Sequence, residues 1–282
     1  MFSIRVRAVG VICAFLILMS GCAARMEQMK LGMLSQSDVE MVRGGLPTPV
    51  LLFDGLTRAY PRKRGILFTA SQLNTAYGSL LMIEGAENSA CLYFLKARDY
   101  AFQSLYSRNR HFRNWFDMDF DEYSKHLLRF RKKDVPYMYY AGQAWLMWVI
   151  ADGSWNSVAD VPKIEELLRR IIELDEEYNY GMAHALLGAV YTSRPAIQGG
   201  RPDEAKKHFD RALELSRREV LLIQVLYARQ YAKLVYDRPL HDELLEEVLE
   251  ANLQELPEDM QIMNMMAIED AKRLLESGDE YF

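Results

Sequence analysis

From about residue 36 to the C-terminus, apolar residues recur every three to four positions, and no run alternates with period two. That periodicity predicts a succession of amphipathic helices and an all-α fold. Breakers fall between the runs: Gly44-Gly45, Pro47, Pro61, Pro136, Gly153, Pro162, Pro195, Gly199-Gly200, Pro202, Pro239 and Pro257. The run 137–150, YMYYAGQAWLMWVI, is apolar on most sides. A helix of that kind is buried within a subunit or between subunits. Near the C-terminus, Met260, Met263, Met265 and Met266 give either an adaptable partner surface or a capping helix, and the cap is preferred.

The helices repeat. Residues 182–215 read Leu187-Gly188-x-x-Tyr191, a Gly/Pro turn, then Ala205-x₃-Phe209-x-x-Ala212. This resembles a tetratricopeptide helix pair. Small residues at Gly188 and Ala205 let antiparallel helices approach, and Tyr191 and Phe209 fill the space beside them. Gly188 and Ala205 are 17 residues apart, five more than the repeat family has. The second-helix triplet recurs as Ala90/Phe94/Ala97, Ile164/Leu168/Ile171 and Leu244/Val248/Ala251. Small residues stand 12 positions upstream at Gly78 and Ala232, and Ala144 is the candidate in the second repeat, with eight extra residues. The expectation is about four tetratricopeptide-like helix pairs plus extra and capping helices, in one domain over 36–282. The expected packing residues are Gly78, Ala90, Phe94, Gly188, Tyr191, Ala205, Phe209 and Ala212.

The N-terminus has a different pattern. MFSIRVR is a short basic stretch, and residues 8–19 are apolar, too short to span a bilayer stably. Met19-Ser20-Gly21-Cys22 then resembles a bacterial lipobox, with Met19 where Leu is usual. The resemblance implies a signal peptide over 1–21, a lipidated Cys22 and a tether over 22–35. Several acyl chains anchor stably, each buried methylene contributing about 0.8 kcal/mol. Ala23 stands where an inner-membrane retention signal places Asp, which favours the outer membrane, facing the periplasm. Of three cysteines only Cys91 is left over, so no intramolecular disulfide is expected. Its apolar helical setting reads as a buried, inert thiol.

Composition narrows the class. The chain has 282 residues, 50% hydrophobic and 26% charged, which excludes collagen-like, disordered and polytopic membrane proteins. The net charge is −5, or −7 once Arg5 and Arg7 leave with the signal, which points away from nucleic acid. No phosphate-binding glycine loop, metal set or nucleophile elbow is readable. Neither a cofactor nor a metal site is expected, and no catalytic residue is assigned.

Taken in order, several features resemble one family over essentially all of 22–282. The lipobox precedes Leu46-Pro47 and Leu51-Leu52-Phe53-Asp54-Gly55-Leu56. Ala144-Trp145 follows, then Leu174-Asp175-Glu176-x-Tyr178-x-x-Gly181-x-x-His184-x-x-Leu187-Gly188. Gly199-Gly200, Phe209-x-Arg211-Ala212 and Asn264-x-x-Ala267-x₃-Ala271-x-x-Leu274-Leu275 complete the series. This is similar to the T-components of tripartite ATP-independent periplasmic (TRAP) transporters, which are tetratricopeptide lipoproteins. The resemblance implies a homotrimer that associates with a periplasmic solute-binding protein and passes ligand to or from it.

In such repeats the first helix of each pair lines the concave side. The expected lining is Trp145, Trp148, Met182, Arg229, Lys233 and Tyr236: aromatic walls and two cations four apart, suited to a small organic acid. The alternative is that Trp145 and Trp148 are core and that Arg229 and Lys233 face water. A basic run at 108–113 and 129–133, with acids at 117–122 between its halves, reads as a solvated hairpin. Three functions follow: a non-enzymatic, lipid-anchored TRAP accessory, a repeat adaptor for another envelope assembly (outer-membrane protein or pilus biogenesis), or a cell-wall enzyme on a helical scaffold. The first is preferred. An enclosed apolar concave face favours a ligand conduit; an open polar one favours a peptide adaptor.

Overall fold

The computed structural model describes Gly32 and residues 38–107 and 109–282. The expected signal peptide 1–21, Cys22 and, Gly32 apart, the tether 22–35 lie outside the described residues, as does Arg108 of the basic run. Among the described residues every regular element is helical. Helices α1 (Val39–Gly45) and α2 (Pro47–Ala59) precede a long pair, α3 (Arg64–Ile83) and α4 (Glu87–Tyr106). An insertion over 107–134 carries the short α5 (Phe120–Leu127). Then come α6 (Val135–Asp152) with α7 (Val161–Asp175), and α8 (Met182–Tyr191) with α9 (Pro202–Leu215). The last pair is α10 (Leu221–Leu226), continued by a π-helical stretch Tyr227–Ala232, with α11 (Arg238–Glu250); α12 (Gln261–Glu276) follows.

The boundaries have local causes. Asp38, Asp119 and Asp237 each cap a helix, their carboxylates accepting from the amides of Met41 (2.9 Å), Glu122 (2.8 Å) and Leu240 (3.1 Å). Pro47, Pro136, Pro162, Pro202 and Pro239 sit in first turns, where a missing N–H costs nothing. Gly153, at φ 60°, ends α6. Gly44 and Gly45 are the last residues of α1, which ends there before α2 begins at Pro47.

Helices adjacent in sequence pack against each other. Helix α3 lies on α4, α6 on α7, α8 on α9, and the π stretch on α11. Each second helix also touches the next first helix: α4 with α6, α7 with α8, α9 with α10, α11 with α12. The first helices touch in series, α3 to α6 to α8 to α10 to α12, and so form an inner row.

One contact recurs at the crossings. A Cβ on Gly78 would stand 2.8 Å from the Phe94 ring, and one on Gly188 would stand 2.7 Å from the Phe209 ring. In both pairs a glycine on the first helix makes room for an aromatic ring on the second. The atoms nearest Gly188 thus belong to Phe209, one turn after Ala205; Ala205, Ala212, Tyr191 and Ala90 are buried. In the second pair Gly142, not Ala144, has this place: its Cβ would be 3.3 Å from Leu168. The glycine lies ten residues further from its partner than Gly78 does from Phe94, which hides the register in the sequence.

The core runs without interruption from Ala101 on α4 to Leu274 on α12. Nine of the 18 residues of helix α6 are buried, and the helix packs on α3, α4 and α7. The insertion completes this part of the core. Trp115 stacks on Phe102 at 3.6 Å, and the buried Arg98 guanidinium lies 4.4 Å from the Trp148 ring. Phe112 meets Phe130 edge-on at 5.2 Å, which brings the two halves of the basic run together. Cys91 is half-buried, and burial pushes its thiol up from the ordinary range.

Candidate functional site

The inner row does not stay open. Helix α12 touches α1, and two arginines join the ends of the array. The Arg43 guanidinium binds Glu269 of α12 at 2.8 Å, Glu40 at 2.5 Å and Glu84, just after α3, at 3.5 Å. Arg273 of α12 donates to the Ile83 carbonyl at the end of α3 and binds Asp270 at 3.1 Å. That carbonyl is among the orphan acceptors of a helix C-terminus, so a cation there also meets the negative end of the α3 dipole. The seam joins residues 226 and 190 positions apart. Five inner helices thus form a closed circuit.

The expected lining residues are distributed unevenly around it. Trp145 is fully buried, its indole N–H donating to Asp160 at 3.0 Å and its ring packed edge-on to Phe102 and Trp115. Met182 is buried too, as is every residue of α8. These two are core, not open wall, because α8 is enclosed by α6, α7, α9 and α10. Trp148 is half-buried, its ring taken by Arg98. Arg229 does not wait for a ligand: it binds Asp270, a buried carboxylate of α12 that also holds Arg273. Lys233 lies over the Tyr281 ring, with its pKa lowered by burial and by Arg229. Tyr236 is 79% exposed with a left-handed backbone, φ 56°, beyond the π stretch. The structure therefore does not bring the six together. The sequence showed two cations on one face, but not that α12 carries a carboxylate to meet the first.

A second polar assembly went unnoticed in the sequence. At the third pair, His184 and His208 place their Nδ1 atoms 2.7 Å apart, and His184 Nε2 lies 3.1 Å from Glu176. One histidine donates and the other accepts, so at least one is neutral. Arg211 grips Glu176 through two bonds of 2.8 Å, and this guanidinium holds the carboxyl down at about 2. Burial, followed by the neighbouring His184, pushes His208 down to about 4; burial also lowers His184. Beyond His208 stands Tyr191, whose hydroxyl accepts from Arg169 at 2.6 Å and donates to Glu165 at 3.2 Å. Arg201 covers the Tyr191 ring at 3.9 Å and binds Glu165. The family series of residues singled out Glu176, His184 and Arg211, and the fold makes them one network tying α7, α8 and α9. Among the described residues no group of His, Cys, Asp and Glu is arranged to hold a metal ion.

A family model described as TRAP transporter T-component matches residues 35–282. No curated protein matches the chain.

Proposed function

Since the chain belongs to the TRAP transporter T-component family, we propose that this transport accessory associates with a periplasmic solute-binding protein and helps to pass it a small, apolar organic acid. Membership makes it a component of the bacterial envelope, and no described helix is long and apolar enough to cross a membrane. The observation that carries the reading is the seam. An adaptor that holds extended peptides needs an open concave groove, whereas Arg43 and Arg273 tie the first and last elements together. A closed inner row whose half-buried positions include Phe68, Tyr140, Met147, Leu222, Leu226 and Met263 offers apolar chemistry instead. Anchoring through Cys22 and assembly as a homotrimer belong to the same reading.

With Arg229 neutralised by Asp270, the carboxylate of a ligand has Lys233 as its available cation on this side. The test is a pull-down of the solute-binding protein encoded beside this gene, with a ligand-uptake assay alongside. The expected result is a complex at micromolar concentration or tighter. Absence of a complex with any such neighbour overturns the partner. A complex with unchanged uptake in Lys233→Met leaves the partner and removes Lys233 as the ligand's contact.

A further inference from the structure

Helix α2 carries a face that nothing among the described residues covers. Its inward side is committed: Val50 and Thr57 are buried, and Asp54 accepts from Asn74 at 3.0 Å and Lys96 at 2.7 Å. On the outward side Leu51 is 71% and Leu52 58% exposed, and Gly55 and Ala59 continue the same stripe. No acid lies on it. The stripe ends at Tyr60, 50% exposed, flanked by Arg58, Arg62 and Lys63. These three cations are exposed and form no ion pair among the described residues. Other exposed cations, such as Lys206 and Arg218, do have acidic partners.

From this we infer that α2 and its C-terminal turn dock onto an anionic lipid surface. Paired leucines, an interfacial tyrosine and a cluster of unpaired cations fit the acyl boundary, the headgroup level and the phosphates respectively. A net charge of −5 makes the chain as a whole repel such a surface, so attraction has to be local, and at this face the cations adjoin exposed leucines. The position in the chain agrees. Asp38 caps α1 sixteen positions after Cys22, a reach of at most roughly 55 Å even when fully extended, and α2 follows at once. The leucines would sink into the headgroup boundary while the tyrosine and cations stay at its level, fixing how the helix ring stands on the bilayer. The inference does not depend on the solute-binding partner.

The experiment uses the mature chain from residue 22 with Cys22→Ser, so that no acyl chain dominates binding. It is sedimented with vesicles of phosphatidylcholine alone, or of phosphatidylcholine and phosphatidylglycerol in equal amounts. Binding to the anionic vesicles that weakens with salt is expected. Arg58→Gln/Arg62→Gln/Lys63→Gln should lower partitioning by about 100-fold, the product of roughly five-fold per cation. Leu51→Gln/Leu52→Gln should lower it by about ten-fold or more on both vesicle types. Both variants sit on an exposed face and should keep the wild-type circular dichroism melt. No sedimentation, or variants that bind as wild type does, overturns the inference. So does a sedimentation-velocity result in which the leucine variant dissociates an oligomer, because the face would then be covered by a second copy.

Discussion

Gly188→Ala separates helix propensity from packing, because the two predict opposite signs. A new Cβ would lie 2.7, 2.8 and 2.9 Å from three carbons of the Phe209 ring. That is about 1 Å inside the usual carbon–carbon contact of roughly 3.5–4.0 Å. The ring has nowhere to retreat, being fully buried and stacked on Tyr227 at 4.8 Å. Overpacking of this kind costs about 1–3 kcal/mol. Replacing a helical glycine returns about 1 kcal/mol. The net loss is therefore about 1 kcal/mol, or roughly 2–4 °C in melting temperature for a domain of this size. Gly55→Ala is the matched control, since a Cβ there meets nothing within 4 Å, and it should raise the melting temperature. Gly78→Ala, facing Phe94 at 2.8 Å, should repeat the loss. Thermal melts followed by circular dichroism read all three, and Phe209→Leu closes a double-mutant cycle. In the double variant the alanine should cost about 1 kcal/mol less than it does alone. A Gly188→Ala chain that melts at or above the wild-type temperature, with an additive double variant, refutes the close-packed register.

The other predictions follow from the seam, the histidine pair and the N-terminus. His208 has a folded pKa of about 4 against an ordinary 6.5, so the unfolded chain takes up its proton first and stability falls with pH between those values. His208→Phe should flatten the melting temperature between pH 6.5 and 5, above the ordinary carboxylate range; an unchanged slope would assign that dependence elsewhere. Arg43→Ala, leaving Glu269 and Glu84 without their cation, should speed hydrogen exchange in α1 and α12 while sparing α6 and α8; uniform exchange would mean that the seam does not hold the ends. Cys22→Ala should abolish acylation and release the protein from membranes, and unchanged mass and fractionation would reject the anchor.

What the sequence revealed depended on whether its signal was local. Gly188 and Phe209, or Gly78 and Phe94, stand within one helix pair, and their spacing can be read directly. Gly142 could not be read, because ten additional residues separate it from Leu168 and Ala144 stood nearby as a decoy. The seam could not be read at all. Nothing near Arg43 announces Glu269, and such a pairing exists only once every inner helix has been placed. The same distance effect hid the partner of Arg229: its carboxylate, Asp270, arrives from α12. Trp145 was weighed as either wall or core, and the insertion that buries it under Trp115 settled the matter for core.

The seam also sets what kind of variation this architecture can absorb. An open array of helix pairs can gain or lose a unit, because each unit touches only its neighbours. Here the first and last elements must meet, so an added pair would carry Glu269 and Arg273 past Arg43 and Ile83. The number of pairs is thereby fixed by geometry. Additional length goes into the turns and between the pairs, as in the lengthened turns of the second and third pairs and the 107–134 insertion. A chain built from helix pairs behaves in this respect as an indivisible unit.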